Sequence, residues 1–438
     1  MSQFTRRRLV GSAVGSAALA GAMAIGSAPV AGAAPKTGLT PAVISAQDKP
    51  IEITFAHIWG TPQGEAPAAT KHPAELVIEA FNAQSTTVKV TSRTDPGGYY
   101  TNLQKAQAEL AAGKPPAMVI TPWSNINYAS EGLGIIDLED IAGDEVDSVF
   151  SNFKDQVIPL VQIEGKTKGL PYAFSCPTVY YNADILKEAG VDPDVLFETW
   201  ASFLQEAPKV QAVLDGNPVM GFLGDRQWLA QSIIQSNGGR VLNDDGEPAV
   251  DSAEAIAAMQ AIADIDSAGL YDSSTGAETQ ASFLGGSTAV FIGSVASLGG
   301  LRKNATFDLQ TSLFPTFEDH PRKMSSGGCF IGVYAHDEAQ QKAAWEFLKF
   351  AASEEGYAIW MKTGYLNASN YELPTLEGQE PAYQQLSEGL TPETPWPSAR
   401  GGEIQGVWAS YCERIWANDI GAEEGCKEAA KEMNAIRG

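Results

Sequence analysis

The sequence is poor in the residues and motifs on which most enzymes depend. It has only four histidines and four cysteines in 438 residues, and neither type occurs in pairs with metal-binding spacing. The motifs Gly-x-Ser-x-Gly, His-Glu-x-x-His and Gly-x-x-x-x-Gly-Lys-Ser/Thr are absent from the chain. We therefore expect no catalytic residues, no metal and no cofactor, and the protein is predicted not to be an enzyme.

Positive charge and long apolar segments are also scarce. Lysine and arginine number 29 against 53 acidic residues, which gives a net charge of −24, so the chain should repel nucleic acid and anionic lipid. No segment reaches the roughly 18 apolar residues of a comfortable membrane span, and no cysteine precedes Cys176. These absences predict a soluble protein without a lipid anchor or a nucleic-acid partner.

The N-terminal segment has the features of an export signal. Arg6–Arg8 precede an apolar run to Ile25, and a small-residue cleavage site ends at Ala33. Residues 1–33 are therefore predicted to be a signal peptide of the twin-arginine type, with an ordinary secretory signal as the alternative. Residues 34–50, rich in proline, alanine and threonine, are predicted to be a linker. We expect the mature protein in the periplasm or outside the cell.

The rest of the chain alternates between strand-like and helix-like segments. Removing 33 residues from 438 leaves 405, which is too long for one compact core and suits two domains. Strands are predicted at 51–59, 87–93, 117–121, 287–294 and 329–335, helices at 74–84, 100–112 and 337–352, and a helical hairpin at 404–437. This alternation predicts an α/β fold with a largely parallel sheet.

Four of the nine tryptophans lie where a ligand crevice is expected. They are Trp59, Trp123, Trp228 and Trp396, each at a predicted strand end, beside a helix start or in a proline-rich loop. In open α/β sheets such edges line the ligand site, and an indole can cover the C–H face of a sugar or polyol. Packing in the core is the alternative for each of them, and Trp123 and Trp228 are predicted to face the cleft.

Several segments resemble family 1 extracellular solute-binding proteins, the ligand-capturing components of ABC importers. The resemblance is carried by segments in a shared order: 98–106, 111–119, 169–182, 186–193, 199–203, 297–298, 327–328, 344–350 and 363–366. Within that family, the chain looks most like the glycerol-3-phosphate and glycerophosphodiester binding proteins. The order and spacing of these segments extend over nearly all of the mature chain.

The resemblance implies a two-lobed periplasmic-binding-protein fold of type II, with discontinuous lobes joined by a hinge. Residues 50–174 and 331–372 would form one lobe, and residues 177–326 and 377–438 the other. A small ligand would bind between the lobes, and the closed complex would dock on a membrane permease. The protein is expected to be a monomer.

The family's ligand contacts can be carried over residue by residue. They fall on Tyr99, Ser175, Ser294, Gly327 or Gly328, Tyr365 and Arg400. A glutamate used by some members falls on Trp123, which removes a carboxylate and adds a stacking surface. The ligand implied is of the glycerol-3-phosphate or glycerophosphodiester type, with Arg400 on its phosphate. A neutral sugar is the alternative, and a secreted carbohydrate-active enzyme is a distant one.

The same architecture suggests how the four cysteines pair. It places Cys176 and Cys329 on crossing strands that run side by side, and Cys412 and Cys426 flank the break in the terminal helical hairpin. Because exported proteins favour disulfides, we predict the pairs Cys176–Cys329 and Cys412–Cys426. Four buried, reduced cysteines are the alternative.

Overall fold

The structure is a computed structural model that describes residues 49–60, 71–95, 97–224, 226–318 and 320–437. The predicted signal peptide and nearly all of the predicted linker lie outside the described residues. Within those ranges, no helix is both long enough and apolar enough to cross a membrane.

Two five-stranded β-sheets organise the chain. The first has the strand order β2-β1-β3-β13-β6 and the second has the order β11-β7-β10-β8-β9. The strands are β1 (Ile51–His57), β2 (Val88–Thr94), β3 (Met118–Pro122), β4 (Gln162–Ile163), β5 (Lys166–Thr167), β6 (Leu170–Ser175), β7 (Pro177–Asn182), β8 (Met220–Phe222), β9 (Tyr271–Asp272), β10 (Val290–Ser294), β11 (Leu309–Ser312), β12 (Met324–Ser325), β13 (Gly327–Val333) and β14 (Leu390–Thr391).

Helices connect the strands and bury their apolar faces against them. Several begin at a side chain that caps the first turn, such as Thr199, which accepts a hydrogen bond from the Ser202 N–H in a capping box. The helices are α1 (Pro73–Gln84), α2 (Gly98–Ala111), α3 (Leu138–Ala142), α4 (Glu145–Phe150), α5 (Ala183–Ala189), α6 (Pro193–Leu196), α7 (Trp200–Val213), α8 (Arg226–Gln235), α9 (Ala253–Ser267), α10 (Gly276–Leu284), α11 (Leu298–Asn304), α12 (Glu338–Ala351), α13 (Glu354–Trp360), α14 (Glu380–Gly389), α15 (Gly401–Trp416) and α16 (Ala422–Arg437).

Both sheets are mixed, with four strands in one direction and one reversed, where the sequence predicted a largely parallel sheet. In the first sheet β1 runs parallel to β2 and β3, whereas β13 runs antiparallel to both β3 and β6. In the second sheet β10 is parallel to β8 and antiparallel to β7. The reversed strands are β7, which the chain enters directly from β6 in the other sheet, and β13, which it enters from β12, a short strand paired with β14. Neither is reached through the helical crossover that a parallel connection needs.

The chain passes between the sheets at two short segments. β6 ends at Ser175 in the first sheet and β7 begins at Pro177 in the second, so Cys176 forms the first crossing. The chain returns to the first sheet at Ser326, between β12 and β13. The α/β architecture is therefore confirmed, while the lobe boundaries given above stay a prediction.

Neither predicted disulfide is present, because all four cysteines are reduced and buried. In the register of β13 against β6, Cys329 lies opposite Ala173, three residues from Cys176. At about 3.3 Å per residue this offset is about 10 Å, beyond the roughly 7 Å that a disulfide allows between Cα atoms. Burial raises the pKa of both thiols to about 12, so they stay protonated and inert.

The terminal helical hairpin is present as α15 and α16, but Cys412 and Cys426 form no disulfide across it. The two helices approach closely at Gly425, where a Cβ atom would lie 2.7 Å from Ile415 Cγ1. Cys426 is one residue further on, about 100° around the helix from that contact. Burial raises the pKa of the Cys426 thiol to about 12, so it stays protonated at neutral pH.

Candidate ligand-binding cleft

A cleft of about 920 Å³ opens where residues from both sheets and both crossings meet. Eight of the ten predicted ligand residues line it, including Trp59 after β1, Trp228 on α8 and Ser294 at the end of β10. The other five are Tyr99, Ser175, Gly327, Gly328 and Tyr365. The structure thus brings together side chains that are up to about 300 residues apart in sequence.

Stacked aromatic rings form one side of the cleft. Trp59 and Tyr365 both pack on the buried ring of Trp360, with ring centroids 4.8 Å and 5.3 Å away. Trp360 in turn stacks on Tyr172 at 4.1 Å and donates its indole N–H to the Tyr172 carbonyl at 2.9 Å. This arrangement fixes two rings at the cleft surface on a rigid base.

The hydroxyl groups of Tyr99 and Ser124 face the same space. The Ser124 hydroxyl oxygen is buried without a hydrogen-bond partner in the described part of the chain, whereas the Tyr99 hydroxyl lies close to Tyr365 and to the Cys329 thiol. Burial raises the pKa of Tyr99 well above its ordinary value and that of Tyr365 to about 12. Both phenols therefore stay protonated at neutral pH and can donate to a ligand. A buried hydroxyl without a partner is costly unless a ligand or water meets it.

The second crossing segment requires its two glycines. Gly328 has a φ of +115°, and a Cβ atom there would lie 2.1 Å from the carbonyl oxygen of Ala173. At Gly327 a Cβ atom would lie 2.5 Å from Trp228 Cζ2 and 2.8 Å from Ser175 Oγ. Only glycine fits either position, and the absence of side chains lets the Trp228 ring rest against the backbone.

Two indoles from opposite sides bond this crossing segment. Trp228 Nε1–H donates to the Ser326 carbonyl at 3.0 Å, and Trp123 Nε1–H donates to the Gly327 carbonyl at 2.9 Å. Trp228 lines the cleft, whereas Trp123 does not. Two consecutive carbonyl groups of the segment thus accept hydrogen bonds, one from a residue that lines the cleft and one from a residue in the core.

The placement of Trp123 differs from the prediction that it faces the cleft. β3 ends at Pro122, and the 3₁₀ turn Trp123–Asn125 directs the indole beneath the crossing segment, where it is 2% exposed and packs against Phe330. Its neighbours Ser124 and Asn125 line the cleft instead. Trp396 is also buried in the core, at 1% exposure.

The position of Arg400 is also different from its predicted role. Its side chain is 53% exposed and forms an ion pair with Glu403, one turn further along α15, with Nη2 and Oε2 2.6 Å apart. Nη1 donates to the Ile436 carbonyl at 3.0 Å. Because these contacts hold the guanidinium outside the main cleft, it does not supply a positive charge there.

The polar lining of the cleft carries little charge. Among the lining residues that the structure describes, none is a lysine or an arginine, and Glu393 is the one acidic residue. Glu393 is 7% exposed, and its backbone N–H donates to Ser326 Oγ at 2.9 Å. Burial lowers the pKa of His72 to about 4, so this lining histidine is neutral at neutral pH.

Several lining residues escaped the sequence analysis. They are His72, Ser124, Asn125, Gln227, Glu393 and Gln405. For Gln405 a signal existed, because Gly402, Gly406 and Ala409 line the cleft from the same face of α15 and their spacing of three and four residues marks one helical face. Glu393 lies in a proline-rich loop, which carries no periodic pattern that could have marked it.

The profile of the bacterial extracellular solute-binding proteins matches residues 77–385, and the chain belongs to this family. It is the solute-binding component of an ABC importer, which captures a small ligand and has a membrane permease as its partner. The family consists of binding proteins rather than enzymes. The resemblance seen in the sequence is thereby confirmed.

Two relatives illustrate the sequence similarity. The chain is 25% identical over 421 residues to the sn-glycerol-3-phosphate-binding periplasmic protein UgpB of Escherichia coli K12, covering 88% of this chain and 92% of the relative. It is also 25% identical over 406 residues to UgpB of Yersinia enterocolitica, covering 81% of this chain and 88% of the relative.

Solved structures show the same two-lobed fold. UgpB from Mycobacterium tuberculosis, in complex with glycerophosphocholine, has a TM-score of 0.74 at 21% identity and covers 89% of this chain and 98% of that chain. An ABC substrate-binding protein of Listeria monocytogenes, in complex with cycloalternan, has a TM-score of 0.76 at 18% identity and covers 89% of this chain and 99% of that chain. The chain therefore has the two-lobed periplasmic-binding-protein fold.

Proposed function

We propose that the protein captures an uncharged, hydroxyl-rich solute of oligosaccharide size for import. The observation that carries this proposal is the lining of the cleft, which combines aromatic rings, hydroxyls and amides but has no lysine or arginine among its described residues. Aromatic faces and small polar groups are what a sugar ring needs. A volume of about 920 Å³ leaves room for more than one sugar unit.

The same lining argues against a phosphate monoester. Proteins bind phosphate with charge-assisted hydrogen bonds, most effectively from arginine. Here Arg400 is paired with Glu403 away from the cleft, while Glu393 contributes a carboxyl group to the cleft itself. A phosphate monoester in this cleft would therefore lack the charge-assisted hydrogen bonds on which its binding depends.

A glycerophosphodiester with a cationic head group is the second candidate. The specific observation is that Glu393 and the Trp228 ring both line the cleft, where a quaternary ammonium could lie over the ring near the carboxyl group. The related protein from Mycobacterium tuberculosis was solved with glycerophosphocholine. Such a diester carries one negative charge, balanced by its own cation.

Isothermal titration calorimetry of the mature protein tests this proposal. The panel contains maltose, maltotetraose, raffinose, glycerophosphocholine and sn-glycerol-3-phosphate, and each compound is also tested for a thermal shift. A ligand at 100 times its Kd should stabilise the fold by about 2.7 kcal/mol. We expect a sugar to bind more tightly than sn-glycerol-3-phosphate.

The variant Arg400→Ala provides a matched control for the phosphate alternative. If the cleft binds an uncharged solute, this variant should bind maltose, the shortest sugar of the panel, with wild-type affinity. Tight binding of sn-glycerol-3-phosphate that is lost in Arg400→Ala would overturn the proposal. It would restore the role that the sequence resemblance gave to Arg400.

A further inference from the structure

A second, smaller cavity of about 120 Å³ lies beside the main cleft. The two cavities share Tyr100, Asn125 and Gly402 in their linings. Tyr100, Gln104 and Gln107 follow one face of α2, since they are spaced by four and three residues. The side pocket therefore continues the cleft along α2 toward the start of α15.

The side pocket has an aromatic wall. Tyr100 is 50% exposed, and among the described residues only Val195 is a comparably exposed large hydrophobic side chain. The absence of a side chain at Gly402 leaves room for this ring, because a Cβ atom there would lie 3.3 Å from Tyr100 Cε2. A solvent-exposed ring at the junction of two cavities is placed to stack on a ligand that extends from one into the other.

Apart from Leu103, Tyr128 and Ala399, the remaining side chains that line the side pocket are polar and balanced in charge. Gln104, Gln107 and Asn125 contribute amides, and Arg400 and Glu403 contribute an ion pair. Together, the amides and the guanidinium–carboxylate pair offer both hydrogen-bond donors and hydrogen-bond acceptors. They carry no net charge. Each sugar hydroxyl both donates and accepts, so this set matches a neutral sugar better than an ion of either sign.

We propose that the side pocket is a second subsite, which holds the terminal unit of an oligosaccharide whose other units lie in the main cleft. At about 10–15 Å³ per water-sized group, its 120 Å³ accommodates the end of a ligand rather than a whole ligand. The subsite selects longer over shorter sugars. This inference rests on the proposed function and names the size class of its substrate.

The test is calorimetric titration of a length series from maltose to maltopentaose into the mature protein. The double variant Gln104→Ala/Gln107→Ala should bind the longest sugars about five- to tenfold more weakly than wild type, the scale of two lost hydrogen bonds. For the shortest sugar that the wild type binds, the Kd of this variant should stay within about twofold of the wild-type Kd. Tyr100→Ala, at the junction of the two cavities, should weaken the binding of the longest sugars more than that of the shortest, and Tyr100→Phe, which keeps the ring, should resemble wild type.

Gln260→Ala, an exposed glutamine on α9, is the matched control and should change no affinity. A loss of affinity that is equal at every length, or absent at the longest, would overturn the subsite while leaving the proposed function in place. A series in which no member binds would contradict the proposed function and the subsite with it. Melting temperatures equal to wild type show that the variants are folded.

Discussion

The two segments at which the chain crosses between the sheets are held in different ways. At the first, the buried side chain of Gln385 on α14 donates to the Pro177 carbonyl at 2.8 Å and accepts from the Phe314 N–H at 2.6 Å. At the second, two indoles bond consecutive carbonyls. Gln385 does not line the cleft, whereas Trp228 does.

This difference shows at which crossing a bound ligand can contact a residue that holds the backbone. A ligand that stacks on Trp228 contacts the indole whose N–H bonds the Ser326 carbonyl of the second crossing. At the first crossing the side-chain bond comes from Gln385 on α14, the Val295 N–H donates to the Cys176 carbonyl at 3.1 Å, and of the crossing residues only Ser175 lines the cleft. We therefore expect ligand binding to depend on the second crossing more than on the first, and the following changes test that expectation.

The largest effect is expected from Gly328→Ala in the second crossing. An alanine at φ +115° is strained, and its Cβ atom would meet the Ala173 carbonyl oxygen at 2.1 Å. The free energy of unfolding, measured by urea denaturation, should fall by more than about 3 kcal/mol. Gly300→Ala on α11, where no atom lies within 4 Å of the added Cβ, should cause no loss. Equal stability of the two variants would show that the second crossing is not constrained as described.

The first crossing should respond to Gln385→Ala. The variant leaves the Phe314 N–H and the Pro177 carbonyl buried without their partner, which should cost about 2–3 kcal/mol of unfolding free energy. Gln384→Ala, the exposed neighbour on the same helix, should cost less than about 0.5 kcal/mol. Ligand affinity of the folded Gln385→Ala protein should stay near wild type. A selective loss of affinity would erase the contrast between the two crossings.

The two indoles of the second crossing can be separated by Trp123→Phe and Trp228→Phe. Each removes one hydrogen bond to the crossing segment, so each should lower the free energy of unfolding by about 1–2 kcal/mol. Only Trp228→Phe should also weaken ligand binding, by about fivefold or more, because only Trp228 lines the cleft. Equal affinity losses in calorimetry would mean that Trp123 reaches the ligand after all.

Stability should also depend on pH, through two histidines that lie away from both crossings. Burial lowers the pKa of His57 to about 3 and that of His72 to about 4. Below pH 6.5 both histidines are protonated in the unfolded chain but stay neutral in the folded chain. The free energy of unfolding should therefore fall as the pH drops from 6.5 toward 4. Each histidine contributes at most about 1.4 kcal/mol per pH unit.

The variant His72→Asn isolates one of these contributions. His72 Nδ1 accepts from the Ala74 N–H at the start of α1, and asparagine can cap the helix in its place. Between pH 7 and 5 the variant should lose about 1 kcal/mol less stability than wild type, measured by denaturation at each pH. An unchanged pH slope would show that His72 titrates alike in both states.

The alternation of strand-like and helix-like segments predicted the α/β architecture, whereas most of the predicted residues that line the cleft, such as Tyr99 and Ser175, came from the family resemblance. The sequence could not place Trp123, because whether Trp123 or Ser124 faces the cleft depends on a single residue in a 3₁₀ turn. It also missed the partner of Arg400, since Glu403 captures the guanidinium only once α15 is folded. The predicted Cys176–Cys329 disulfide was wrong because such a bond depends on strand register. In this register Cys329 lies opposite Ala173, which is three residues from Cys176.

The most direct test of the account is competition in the cleft. The mature protein is titrated with the tightest-binding sugar of the panel in the absence and in the presence of 10 mM sn-glycerol-3-phosphate, roughly the highest concentration that keeps ionic screening moderate. The account predicts the same Kd for the sugar in both titrations, because the described lining offers no cation to a phosphate monoester. A Kd that rises in proportion to the phosphate concentration would contradict it.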